Sequence, residues 1–261
     1  MAAVTINDLL EAGVHFGHQT KRWNPKMKPY IYGARNGISI FDLTVTIRCL
    51  AEACEFLRQT AASGGTILLV GSKRQAQEVI REAAERTGMP RMCNRWLGGT
   101  LTNFGVIHRR VGYLRELRQM QADGNVDKRP KKELSKLRKE QDKLEQTLGG
   151  IINMDKLPDV LLIVDVIHEG IAVKEANRLH IPVVAIVDSN GDPDCVDKVV
   201  PGNDDAMRSI KVLVDTFAAA IEEGRLQCPK AQVTVEAEAQ AQKNEAAEAK
   251  DAPAEDTVAK E

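Results

Sequence analysis

Two five-residue apolar runs set the terms on which this chain can fold. Val160–Val164 (VLLIV) is followed by Asp165, and Val183–Val187 (VVAIV) is followed by Asp188. Neither run contains a polar residue, so a strand built from either one is apolar on both faces. Between them Ile171, Ala172, Glu175, Ala176 and Leu179 recur at helical spacing and predict a helix over residues 168–179. Strand, helix and strand within roughly thirty residues make a βαβ unit. Strands that are dry on both sides belong in a parallel sheet covered by helices on each face. The chain is therefore expected to be an α/β protein whose other segments add to this sheet.

Those segments read as follows. Thr5 or Asn7 caps a short opening helix. Gly17, Gly33, Gly37, Pro25 and Pro29 exclude a long regular element from residues 15–41, which end in an edge strand at Ile38–Phe41 after the Asn36-Gly37 turn. Helices are predicted over residues 44–60 (Ile47, Leu50, Ala51, Cys54 and Leu57 on one face), 75–86 (stopped by Gly88) and 204–223 (Ile210, Leu213, Val214, Phe217 and Ile221 inward). Further strands are predicted at 66–70 and 199–200, and 89–104 is expected to be irregular. Ile107, Val111, Leu114 and Leu117 share one stripe, while Leu134, Leu137, Gln141, Leu144 and Leu148 step as a heptad seam. With DGNVDKRP as the turn, these form an antiparallel helical hairpin, expected to fold apart from the sheet. The domain plan is a discontinuous α/β domain (1–104 and 149–228), a coiled-coil hairpin insertion (105–148) and an acidic tail expected to be disordered (229–261).

The net charge of −1 over 261 residues conceals a division. After Ala231 the tail holds eight acids and three bases, a net −5, which leaves +4 on the rest. Five cysteines, odd in number and with no CxxC pair, read as free thiols in a reducing compartment rather than a disulfide framework. The opening MAAVTINDLL lacks a positive n-region and apolar core, and no apolar run approaches the roughly 18 residues of a membrane span. The expected location is cytoplasmic.

Three stretches invite an enzymatic or metal-binding reading and fall short of it. Gly71-Ser72-Lys73 lies between a strand and a helix but has neither the GxxxxGK[ST] nor the GxGxxG pattern, so Gly71 and Ser72 read as a turn and an N-cap. Residues 188–194 (DSNGDPD) begin like a calcium loop, but Pro193 and Val199 stand where Gly and Glu are required; a solvated Asx-rich turn is the better reading. His15 and His18 flank Phe16-Gly17 without a third ligand at metal spacing and read as hydrogen-bonded packing residues. His168-Glu169 reads as a helix terminus. No catalytic residue, metal or cofactor is expected.

The stronger signal is basic residues interleaved with aromatics and amides. Lys21, Arg22, Trp23, Asn24, Lys26, Lys28, Tyr30, Tyr32 and Arg35 fall in one stretch. Arg91, Asn94, Arg95, Trp96, Thr100, Thr102, Asn103, His108, Arg109 and Arg110 fall in another, and residues 73–118 hold ten bases against four acids. Arg and Lys suit phosphates, Trp and Tyr offer faces to unstacked bases, and Asn supplies edge contacts. The competing reading is an ordinary charged surface with Trp23 and Trp96 as core anchors.

The stretches GVHFGHQTKRWNPKMKPYIYGARNGI, PRMCNRWLGGTLTNF and PDVLLIVDVIHEGIAVKEANRLHIPVVAIVDSNGDPD resemble, in order, three signatures of one ribosomal family, the second protein of the bacterial small subunit. The resemblance covers residues 4–228. It implies a flavodoxin-like parallel sheet with a protruding coiled-coil hairpin, no catalytic activity, and attachment to 16S rRNA between head and body of the subunit. It also implies neighbouring small-subunit proteins as partners, including the large mRNA-binding first protein, with a ribosome-bound location and no membrane or homo-oligomer in the functional state. Lys21, Arg22, Trp23, Arg91, Asn94, Arg95, Trp96, Thr100 and Asn103 match motif positions; their RNA roles, like those of Lys26, Lys28, Arg35, Thr102, Arg109 and Arg110, rest on residue type. Two other readings compete: a phosphosugar- or nucleotide-binding α/β enzyme, which would need the missing phosphate loop, and an adaptor acting through the hairpin. Because phosphate repels the acidic tail, removing residues 230–261 is expected to leave subunit association unchanged or slightly stronger in pelleting assays; a clear loss would assign the tail an essential contact.

Overall fold

A computed structural model describes residues 4–122 and 131–228. Strands β6 (Val160–Val164) and β7 (Val183–Val187) are buried at all ten positions, as their composition requires. They pair in parallel, Leu161 opposite Val183 and Val164 opposite Ile186. β4 (Ile67–Val70), also buried throughout, pairs in parallel on the other side of β6. The two-residue β5 (Arg91–Met92) and β8 (Lys198–Pro201) form the edges, giving the order β5-β4-β6-β7-β8. Counted from β4, this is the 2-1-3-4-5 arrangement of the flavodoxin-like fold. β5 lies within the segment expected to be irregular; two residues are too few to show a period.

Alternation along the strands divides the core into two layers. Ile67, Leu69, Val160, Leu162, Val164, Val184, Ile186 and Val200 face one side. There they meet the helices α2 (Leu43–Ala62), α3 (Arg74–Thr87) and α7 (Met207–Gln227), together with α1 (Ile6–Glu11). Leu68, Val70, Leu161, Ile163, Val183, Ala185 and Val187 face the other, against α6 (Gly170–Arg178), Met27, Phe41, Trp96 and Leu101. Local signals set the helix limits. Thr5 and Asp8 close a capping box on α1, the Asp42 side chain accepts from the Thr44 amide (2.9 Å) to start α2, and Gly88 ends α3 at φ +65. On α2 the buried stripe runs through Leu43, Thr46, Leu50, Ala53, Leu57 and Ala61, while Ala51, expected inward, is exposed.

Residues 16–41 differ from expectation. They contain a three-stranded antiparallel sheet of β1 (Phe16–Gln19), β3 (Ile38–Phe41) and β2 (Ile31–Arg35), in the order β1-β3-β2. Ile38–Phe41 is thus its centre and not an edge. Arg35 opposes Ile38 across Asn36 (φ 52) and Gly37 (φ 76), both left-handed, the turn that lets two strands reverse in two residues. β1 then pairs with the free side of β3.

Residues 105–148 run as α4 (Phe104–Ala122) and α5 (Lys131–Leu148); the turn between them and the acidic tail lie outside the described residues. Arg118 pairs with Glu145, and the Gln141 amide donates to Gln121 (2.8 Å). Val111, Leu114, Leu117, Leu144 and Leu148 are buried in the same cluster as Leu68 and Val70, so the base of this pair is continuous with the sheet's second layer. Among the described residues no helix is long and apolar enough to cross a membrane. Leu114 is fully buried at the join. Leu114→Ala is expected to cost about 2–5 kcal/mol and to lower one cooperative thermal transition of the whole domain. An early melting of the helices with an unmoved main transition would make the arm autonomous.

Candidate nucleic-acid interface

The first basic stretch is fastened to the carboxyl end of β7. The His18 amide donates to Ser189 Oγ (2.8 Å) and Asp188 Oδ1 (3.2 Å), and the Asn24 amide donates to the Ser189 carbonyl (2.7 Å). Gly17 passes so close that a Cβ there would lie 2.8 Å from Ser189 Oγ and 3.1 Å from its Cβ. Met27 is fully buried in the second layer, and Asn24 Oδ1 accepts from the Lys26 amide (3.0 Å) to begin the 3-10 turn Pro25–Tyr30. On this frame Lys21, Arg22, Lys28 and Arg35 are exposed without an ion-pair partner among the described residues, and Trp23 is 38% exposed. Lys26 differs: its ammonium lies 2.9 Å from Asp192 and 2.8 Å from Asp194, whose hydrogen bonds raise its pKa. Its charge is already met within the chain.

The second stretch leaves the carboxyl end of β5 and lies over α6. Arg91 is half-buried and pairs with Glu85 (3.3 Å), and the Asn94 side chain donates to the Gln146 carbonyl. Trp96 is 6% exposed and Thr100 is fully buried, its hydroxyl donating to the Leu97 carbonyl (2.6 Å). Neither side chain is presented at the surface: the Trp96 ring is a core anchor, as the competing sequence reading had it. Arg95, Thr102, Asn103, Arg109 and Arg110 are exposed. Met27 of the first stretch and Trp96 and Leu101 of the second enter the same buried cluster, so both stretches stand on one face of the parallel sheet.

Residue-type reasoning passed over the group that holds the second stretch. Glu175, inside the apolar face of α6, accepts from Trp96 Nε1 (3.1 Å), from the amides of Gly99 (2.7 Å), Leu101 (3.0 Å) and Thr102 (3.1 Å), and from Thr102 Oγ1 (3.1 Å). Burial works against its charge, but the Thr102 and Gly99 amides and the Trp96 indole outweigh it and hold the carboxyl below its ordinary range. The available signal was an acid within a stripe of Ala172, Val173 and Ala176: a carboxylate so placed requires donors.

The carboxyl end of the sheet also collects its remaining polar groups. Ser72 does not cap α3. Lys73 holds the N-cap position, and the Ser72 amide (2.8 Å) and hydroxyl donate instead to Glu169, which is 1% exposed. A side-chain carboxylate thus sits where this fold elsewhere holds a phosphate. Asp188 and Ser189 are buried rather than solvated, because His18 and the first stretch cover them. His18 Nδ1 lies 3.0 Å from Asp188 and Nε2 3.4 Å from Asp205. His18, Asp188, Asp204 and Asp205 bring donor atoms within 4.8 Å of one another, the one such group among the described residues. Lys73 supplies a counter-charge, 2.7 Å from Asp204, 2.6 Å from Asp205 and 3.3 Å from Asp165.

Burial, then the charges of Asp165 and Asp188, push Asp204 up to about 7 from an ordinary 3.8 despite Lys73. A carboxyl raised on folding contributes stability that is complete below its unfolded value and lost as pH rises through its folded one. Asp204→Asn removes that loss and keeps an oxygen for Lys73. Its urea midpoint is therefore expected to gain on the parent's between about pH 4 and 7, and a gap independent of pH would overturn the assignment.

The family model described as ribosomal protein S2 matches residues 9–224, a span that takes in both basic stretches, all eight strands and both helices of the arm. The three sequence signatures, the flavodoxin-like strand order and this match agree. The chain belongs to the ribosomal protein S2 family, structural proteins of the small ribosomal subunit that work in translation as part of its ribonucleoprotein.

Proposed function

We propose that the chain binds 16S rRNA through the exposed members of its two basic stretches, supports assembly of the subunit, and helps to dock the large mRNA-binding first protein during translation. The supporting observation is a division among the cations. Lys26, Lys73, Arg86, Arg115 and Lys211 are each held by acids of the chain. Lys21, Arg22, Lys28, Arg35, Arg95, Arg109 and Arg110 are exposed with no ion-pair partner among the described residues; such cations also occur outside the stretches, at Arg48, Arg74, Lys174 and Arg208, but within them they cluster beside Trp23, Asn94 and Asn103. Unneutralised cations on an anchored backbone suit phosphate, and the half-exposed Trp23 ring offers a face to an unstacked base. Trp96 and Thr100 serve this reading from inside, by shaping the loop that carries Asn94, Arg95, Thr102 and Asn103. In the same reading the α/β domain (1–104 with 149–228) is the RNA platform and residues 105–148 reach towards a neighbour, with no homo-oligomer. The Glu169 carboxylate at the start of α3 favours a non-catalytic role over phosphosugar or nucleotide chemistry, since it repels an incoming phosphate.

Replacing Lys21, Arg22, Arg95 and Arg109 with Gln is expected to weaken binding to small-subunit rRNA. It should also lower the log–log salt slope by about 0.7–0.9 for each phosphate contact removed. An unchanged slope would move the interface elsewhere.

A further inference from the structure

We propose that Glu175 is a positioning residue for RNA recognition, which fixes the loop 96–103 and determines what Thr102 offers to the ligand. The inference rests on the RNA-binding reading above. A carboxylate within the apolar face of a helix is costly unless its lone pairs are filled, and those of Glu175 are filled from a single loop. The amides of Gly99, Leu101 and Thr102 converge on it from successive turns, with Gly99 at φ +88 turning the backbone inward. Such a nest of N–H groups is a general anion site, and here the anion belongs to the protein. The loop then runs directly into the first turn of α4, where the Val106 amide bonds to the Asn103 carbonyl (3.0 Å), so the buried negative charge also complements that helix's amino end.

Two consequences follow for the ligand. The exposed Asn103 takes its direction from a carboxylate that touches no solvent-facing group except Thr102. The Thr102 hydroxyl has a single proton and donates it to Glu175, so towards the outside it can only accept. A phosphate oxygen, which needs a donor, is refused at this position; a ribose 2′-hydroxyl or a base amino group is accepted. The geometry therefore assigns Thr102 to the sugar or base edge of the RNA and leaves phosphate to the neighbouring arginines.

The experiment is Glu175→Gln in the full chain, read by amide hydrogen exchange and by titration with a small-subunit rRNA fragment across a salt series. Losing the anion while keeping the size of the side chain is expected to speed exchange at Gly99, Leu101 and Thr102 at least about tenfold and to weaken RNA binding about tenfold. Each is the size expected when hydrogen bonds to a charged group are lost. The salt slope stays at the parent's value, because no phosphate contact is removed. Retained protection of the loop amides, unchanged affinity with released amides, or a slope lowered as in the Gln variants of the basic residues would each overturn the proposal. Should Glu175→Gln fail to fold, Trp96→Phe deletes one donor and keeps an aromatic ring in the core; it is expected to show the same effects at smaller size, and unmoved loop amides there count against the role. The amide exchange is read without RNA, so a failure of the RNA-binding reading appears in the titration alone.

Discussion

β6 and β7 have no face that tolerates water, and the placement of nearly everything else follows from that. Helices alone would cover one side: α2, α3 and α7 do so with long apolar stripes. On the other side α6 is only nine residues long, and the cover is completed by Met27, Phe41, Trp96, Leu101 and the base of the arm. Segments rich in Gly, Pro and Arg, which would otherwise be free loops, are thereby tied to the core by one or two apolar side chains each. The hydrophobic requirement of the sheet is what gives the basic stretches a defined position.

The polar groups of the domain obey a complementary rule. Parallel strands deliver their carboxyl ends, and the acids that follow them, to one edge. Asp165, Glu169, Asp188 and Asp204 gather there and are answered from within the chain by Lys73, Ser72 and His18. The edge at which an enzyme of this fold would hold its ligand is closed by internal pairs. Exposed Lys and Arg of the two stretches, by contrast, have no ion-pair partner among the described residues, apart from Lys26.

Much of this was legible in the residues, for identifiable reasons. β4, β6 and β7 are short and wholly apolar, and α7 carries a clean stripe, so their burial shows in composition and period. β1 and β2 did not show, because four or five residues interrupted by Gly or Arg have no readable alternation, and the pairing of β3 with both depends on a segment twenty residues earlier. For the interface, residue type pointed to the exposed Lys21, Arg22, Arg95 and Arg109, but it could not separate them from Lys26, which meets acids 166 residues away, or from Trp96 and Thr100, whose burial is a tertiary fact. Glu175 and Asp188 were hidden for the same reason: their donors come from other elements.

The clasp between the first stretch and the end of β7 joins residues 170 apart in the chain, His18 to Asp188. Chain order gives this contact a place in time. During synthesis, at roughly 5–20 residues per second, the amino-terminal segment waits on the order of ten seconds or more before its binding partners have been made. A copy that stops short of residue 188 contains every cation of the first stretch but lacks this clasp. Gly17, which lets the backbone lie against Ser189, thus makes the final geometry of the first stretch conditional on a segment that leaves the ribosome some 170 residues later.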